Sequence, residues 1–158
     1  MELKKIKKIK YYLIFALIIL VCIFLDQFSK ILTDNKYIAI INNFLWFEST
    51  HNTGAAYGSF AGKTLVLIIL TIVVLSILIF YYIKNKNKNI LFNFAIGFIV
   101  GGAIGNLIDR FFRGFVVDFI DTPFIATFNI ADSCVVIAAI MLIIYFVVCE
   151  VKESRKEN

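Results

Sequence analysis

From Thr64 to Ile83 the chain runs twenty residues without a charge, and a helix of that length spans the roughly 30 Å of hydrocarbon in a bilayer. Three more stretches are comparable: residues 11–32, losing their apolar character at Asp26; residues 90–108; and residues 130–149, with Asp132 near the start. Length identifies them rather than periodicity, because a helix facing lipid is apolar all round. The 61% hydrophobic content exceeds what a soluble domain carries. The sequence therefore predicts an all-α membrane protein, one domain over residues 1–158 with four transmembrane helices. Residues 33–63 and 109–129 connect the helices as outer segments. The first mixes polar residues with Ile38, Ile40, Ile41, Phe44, Leu45, Trp46 and Phe47, a pattern expected of a strand-like piece lying at the membrane surface.

Orientation follows from lysine and arginine. Lys4, Lys5, Lys7, Lys8 and Lys10 precede the first span, Lys84, Lys86 and Lys88 fill the turn between the second and third, and Lys152, Arg155 and Lys156 follow the fourth. Eleven of the sixteen basic residues thus lie on one side, which is expected to be cytoplasmic and to hold both termini. The net charge of +5 is explained by this arrangement, and no nucleic-acid partner is expected. The basic start followed by an apolar run resembles a secretory signal, yet Asp26-Gln27-Phe28-Ser29-Lys30 offers no small-residue cleavage site. Val21 before Cys22 does not fit a lipid-attachment box, so the first span is expected to be retained. Cys22, Cys134 and Cys149 are widely spaced in apolar runs and read as packing residues.

Polar residues at membrane depth are costly and mark function by default. Here they gather at the outer end: Asp26 and Lys30, Asn52 and Gly54, Asn106, Asp109 and Arg110, Asp118 and Asp121, Asn129 and Asp132. Some have simpler readings. Asp26 and Lys30, four apart, fit a same-face ion pair, and Arg110 fits a side chain reaching for the headgroups. His51 is alone and cannot build a zinc site. Gly97, Gly101 and Gly105, with Gly102 beside them, suit close helix packing or the approach of a substrate backbone. Asp132 and Asp118 have no basic neighbour within a few positions. Two carboxylates at one depth can share a proton, one ionised to take a proton from water and the other neutral to donate one, which is the requirement for hydrolysing an amide. Spacing alone does not choose between Asp118 and Asp121.

The ordered set Asp26-Gln27 with Lys30, Asn52-Thr53-Gly54-Ala55-Ala56, Gly102 through Arg110, Val116-Val117-Asp118-Phe119 and Phe128-Asn129-Ile130-Ala131-Asp132-Ser133 closely resembles the lipoprotein signal peptidase (signal peptidase II) family. The resemblance implies an aspartic endopeptidase of the bacterial cytoplasmic membrane that cleaves prolipoproteins just before the diacylglyceryl-modified cysteine, with its site at the outer leaflet. By motif it maps the catalytic pair onto Asp118 and Asp132. It places Asn52, Gly54, Gly102, Asn106, Arg110, Asn129 and Ala131 around the substrate, with Asp26 and Lys30 in support. It further implies a small sheet-like cradle and a short surface helix in the first outer segment. The partners implied are lipidated prolipoproteins and membrane lipids, with no metal or organic cofactor, and a monomer is the expected state.

Other readings account for less. A proton-coupled transporter would need polar residues through the midplane, where the second and fourth spans are apolar. A serine–lysine peptidase using Ser133 with Lys30 or Lys63 leaves the aspartates unexplained, and the Gly-x-Gly-Asp motif of presenilin-like proteases is missing. The topology is testable on its own. With Lys36→Cys and Lys86→Cys made singly in a cysteine-free background, an impermeant thiol reagent added to intact cells is expected to label position 36 and spare position 86. The reverse pattern would invert the protein.

Overall fold

A computed structural model of the chain describes residues 2–54, 59–85 and 89–157. The elements follow in the order α1 (Glu2–Thr33), β1 (Tyr37–Ile41), β2 (Leu45–Asn52), α2 (Thr64–Lys84), α3 (Ile90–Phe112), β3 (Val116–Thr122), β4 (Ile125–Phe128) and α4 (Ile130–Glu157). Four helices are long and apolar enough to cross a membrane, and the strands form one small antiparallel sheet in the order β1-β2-β3-β4.

α3 is the central helix. Ten of its residues are buried, against three in α2. Its glycines explain how neighbours come so close. A Cβ at Gly101 would stand 2.6 Å from Cys22 Cβ on α1, and one at Gly102 would run into the carbonyl oxygen of Ala131 on α4. Of the two sequence readings of this stripe, the structure therefore displays close packing of helix against helix. Cys22 and Cys134 are buried with Ile18 in the same seam, as free thiols. At the basic end, Tyr82 donates to Asn93 Oδ1 at 2.6 Å and Asn93 donates to the Tyr11 carbonyl at 2.9 Å. That chain of bonds ties α2, α3 and α1 together, with Phe15 stacked on Tyr82.

The sheet differs from the sequence expectation in its origin. The first outer segment supplies β1 and β2, but β3 and β4 come from the second, where no strand was anticipated. Val116, Val117, Phe119 and Ile120 carry the β-branched and aromatic character of a strand, and Val116 to Phe119 are buried on both faces. α3 ends at Phe112, and Gly114 just past its cap has a φ of +80°, a left-handed position suited to glycine, after which the chain enters β3. Thr50 lies opposite Asp118 and Asn52 opposite Val116 across the β2–β3 ladder, past an irregularity between Phe47 and Thr50. Among the described residues the first outer segment shows no helix between β2 and α2; residues 59–62 are turns, and residues 55–58 lie outside the described ones.

Gly102→Val puts a branched side chain where a backbone carbonyl already sits. It is expected to destabilise the α3–α4 contact by about 1–3 kcal/mol, seen as a lower thermal midpoint in detergent. An unchanged midpoint would mean that the two helices can separate freely.

Candidate active site

α4 begins with reciprocal capping. Asn129 Oδ1 accepts the Asp132 backbone N–H at 2.9 Å, while Asp132 Oδ2 accepts the Asn129 N–H at 3.2 Å. A residue before a helix and its third helical residue thus satisfy each other's orphan donors, and the rotamers of both are set by helix initiation. The Asn129 amide nitrogen is then aimed at β3, donating to Asp118 Oδ1 at 2.6 Å and to Asn106 Oδ1 at 3.0 Å. Asn52 Nδ2, from β2, donates to the other Asp118 oxygen at 2.9 Å, and Asn106 Nδ2, from α3, donates to Asp132 Oδ1 at 2.9 Å. Five elements contribute to one hydrogen-bonded group once α1 is added. There Lys30 bonds Asp26 Oδ2 and Asp109 Oδ2, each at 2.8 Å, and all three side chains are fully buried.

Asp118, Asp132, Asn52, Asn106 and Arg110 line a cavity of about 920 Å³ together with Thr50, Ser133 and an apolar wall from β4 and α4. Burial pushes the Asp118 carboxyl from 3.8 up to about 6; the nearby Asp132 charge adds to the rise, and the bonds from Asn52 and Asn129 and the charge of Lys30 oppose it. Arg110 Nη2 donates to the Gly54 carbonyl at 3.1 Å, and Gly54 N–H is held by Asn52 Oδ1 at 2.9 Å. Gly102 and Ala131 lie in the α3–α4 contact, and the Ala131 N–H donates to Asp26 Oδ1 at 2.9 Å.

The ion pair between Asp26 and Lys30 is present, and it has a third member that the sequence reading did not single out for the site. Asp109 also accepts from Gln27 and from the Val117 N–H. Its signal was the spacing Asn106–Asp109–Arg110, which puts an acid on the turn that faces α1. Asp121 lies opposite Trp46 in the ladder and is not among the cavity-lining residues. His51 stacks on Phe115 and meets Asp34 at 3.4 Å on the exposed side. Ser133 lines the cavity, but its hydroxyl donates to the Asn129 carbonyl, and Lys30 is engaged by carboxylates, so the serine–lysine arrangement is not assembled.

A family profile described as Signal peptidase (SPase) II matches residues 18–148. The chain belongs to the signal peptidase II family. It is 46% identical over 127 residues to the lipoprotein signal peptidase of Caldanaerobacter subterraneus subsp. tengcongensis, covering 76% of this chain and 86% of that protein. It is 40% identical over 134 residues to that of Halothermothrix orenii, covering 82% and 92%. Among solved structures, a bacterial membrane enzyme determined by the in meso method at 2.3 Å superposes with a TM-score of 0.79 at 36% identity, covering 84% of this chain and 87% of that one. Family membership makes the chain a multi-pass membrane protein of a bacterial peptidase family.

The raised Asp118 value gives a signed expectation. Between 3.8 and about 6 the folded protein holds the Asp118 proton that the unfolded chain has released. This carboxyl therefore subtracts from stability as pH rises through that window. Asp118→Asn is expected to remove that part of the pH dependence, measured as the difference in thermal midpoint between wild type and variant from pH 4 to pH 7. A difference that does not change with pH would place the Asp118 carboxyl back in the ordinary range.

Proposed function

We propose that this protein is a membrane aspartic endopeptidase that removes the signal peptide from diacylglyceryl-modified prolipoproteins, cutting just before the lipidated cysteine. The observation that carries the reading is the meeting of Asp118 and Asp132, from β3 and α4, at one cavity where both are bonded to Asn129. Like charges this close do not both ionise readily. Asp118, raised by burial, is the more readily protonated of the two and acts as acid; Asp132 acts as base.

Asp132 takes a proton from a water whose oxygen adds to the scissile carbonyl carbon, and Asp118 gives its proton to the carbonyl oxygen. The product of this step is a neutral tetrahedral diol. As the C–N bond breaks, Asp118 recovers a proton from one hydroxyl and Asp132 delivers its own to the leaving amine. One water is consumed and both carboxyls return to their starting states. Asn52, Asn106 and Arg110 on the polar wall hold the scissile backbone and the nearby esters.

The apolar wall supports a lipid-borne substrate. Val135, Val136 and Ile137 line the cavity from α4, and the exposure of Val136 and Ile137 leaves a route from the bilayer for a helix and two acyl chains. The names of the relatives support the same substrate class. With both termini cytoplasmic, as the basic residues favour, the site faces the outer leaflet. Both aspartates come from one chain, so a monomer suffices.

Asp118→Asn and Asp132→Asn are each expected to lower turnover of a lipidated preprolipoprotein by about 10²–10⁴-fold or more, with the purified variants folded. Asp121→Asn is expected to keep substantial turnover, and the unlipidated precursor to be a poor substrate. Wild-type turnover in either of the first two variants would remove that residue from the mechanism. Equal cleavage of both precursors would remove the lipid requirement.

A further inference from the structure

Lys30 is not used by the reaction above, and the cavity is not lined by it. Its ammonium is fully buried, as are Asp26 and Asp109, and those two carboxylates at 2.8 Å already neutralise it. A third bond goes elsewhere: Lys30 Nζ donates to Asn106 Oδ1 at 3.0 Å. An ammonium has donors only, so the Asn106 carboxamide must turn its oxygen toward Lys30. Asn129 Nδ2, a second donor at 3.0 Å on the same oxygen, requires the same orientation. The Asn106 nitrogen is thereby turned toward Asp132, whose Oδ1 accepts from it at 2.9 Å. The flipped amide would set NH₂ against two donors and a carbonyl against a carboxylate, leaving buried polar groups unpaired.

We infer that Lys30 is a positioning residue of the reaction, acting through the Asn106 carboxamide to present an N–H donor to Asp132. A purely structural lysine would be complete with Asp26 and Asp109. The bond to Asn106 makes α1 part of the apparatus that orients Asp132, although among the described residues no α1 side chain lines the cavity. Without it the Asn106 oxygen keeps only the Asn129 donor, and the N–H that fixes the Asp132 carboxylate relative to Asp118 and the attacking water is held less firmly. Lys30 is not itself part of the cavity wall, so its removal falls on the chemical step more than on substrate binding. The inference rests on Asp118 and Asp132 being the reacting pair.

The test is a double-mutant cycle. Removing Lys30 alone strands two buried carboxylates, so every arm carries Asp26→Asn, which keeps the local net charge of Lys30→Met equal to that of the native cluster. In that background Lys30→Met is expected to lower kcat on a lipidated precursor by about 10²-fold with KM little changed, and Asn106→Ala, which also removes a group from the cavity wall, to lower kcat at least as far and to raise KM. The two together should be no slower than the worse single variant. Losses in kcat that multiply, or a Lys30→Met loss carried by KM, would overturn the inference, as would a folded Lys30→Met variant with unchanged kcat. Lys30→Gln supplies an arm that does not depend on the Met variant folding. It offers Asn106 a neutral N–H donor and is expected to hold kcat within about tenfold of the reference; a folded Gln variant as slow as Asn106→Ala overturns the inference. If instead Asp118→Asn and Asp132→Asn remain active, the two-aspartate reading itself has failed, an outcome separate from additivity in the cycle.

Discussion

A charge inside a bundle surrounded by lipid must find its counter-charge and hydrogen bonds within the protein, because hydrocarbon offers neither. Lys30 sits between Asp26 and Asp109 under that constraint, and the carboxylates pass it on. Asp26 takes the Ala131 N–H at the start of α4, Asp109 takes the Val117 N–H of β3, and Arg113 lies 3.8 Å from Asp109. One buried cation thus fixes the sheet-side ends of α1, α3 and α4 and the start of β3 to one another. Among the described residues no buried side-chain polar atom is left without a partner. Removing one member of such a cluster costs about 3–5 kcal/mol, so its geometry is closely held.

Helix initiation then does the fine placement. Asn129 and Asp132 cap α4 reciprocally, and the spare amide hydrogens of Asn129 reach Asp118 and Asn106. Asp118 is held from the opposite side by Asn52, whose carbonyl also sets the Gly54 turn that receives Arg110. The distance between the two aspartates therefore depends on a helix start and a strand register, both regular features of the backbone, and much less on free side-chain rotamers.

The four helices were legible because length and the lack of charge decide them without reference to a partner. The polar cluster was legible for the same reason: in a chain so apolar, an Asp or Asn at the end of a span stands out. The motif resemblance then gave Asp118 over Asp121, and the ladder offers a physical counterpart, since Asp121 lies three residues along β3 beside Trp46 and outside the cavity lining. β3 and β4 were not legible. Val116 to Phe119 form an apolar run broken by an acid, and such a short run has no periodicity of its own to separate a strand buried on both faces from a helix fragment. The third partner of Lys30 was hidden because the contact between Lys30 and Asp109 crosses from α1 to α3, and only helix packing through the glycines brings them together.

The two walls of the cavity divide along the same line as the fold. Polar groups come from the sheet-side ends of α3 and α4 and from the strands, where the buried cluster can hold them. The apolar wall comes from β4 and from the part of α4 just below Asp132, where nothing polar is needed. A substrate that is itself apolar on one side of its scissile bond and carries ester and amide groups at the bond matches that division. The capping turn of α4 is the boundary between the two walls. It presents Asp132 to the polar side, and one turn later Val135 and Val136 belong to the apolar one, so the helix start itself sets where along α4 the polar wall gives way to the apolar wall.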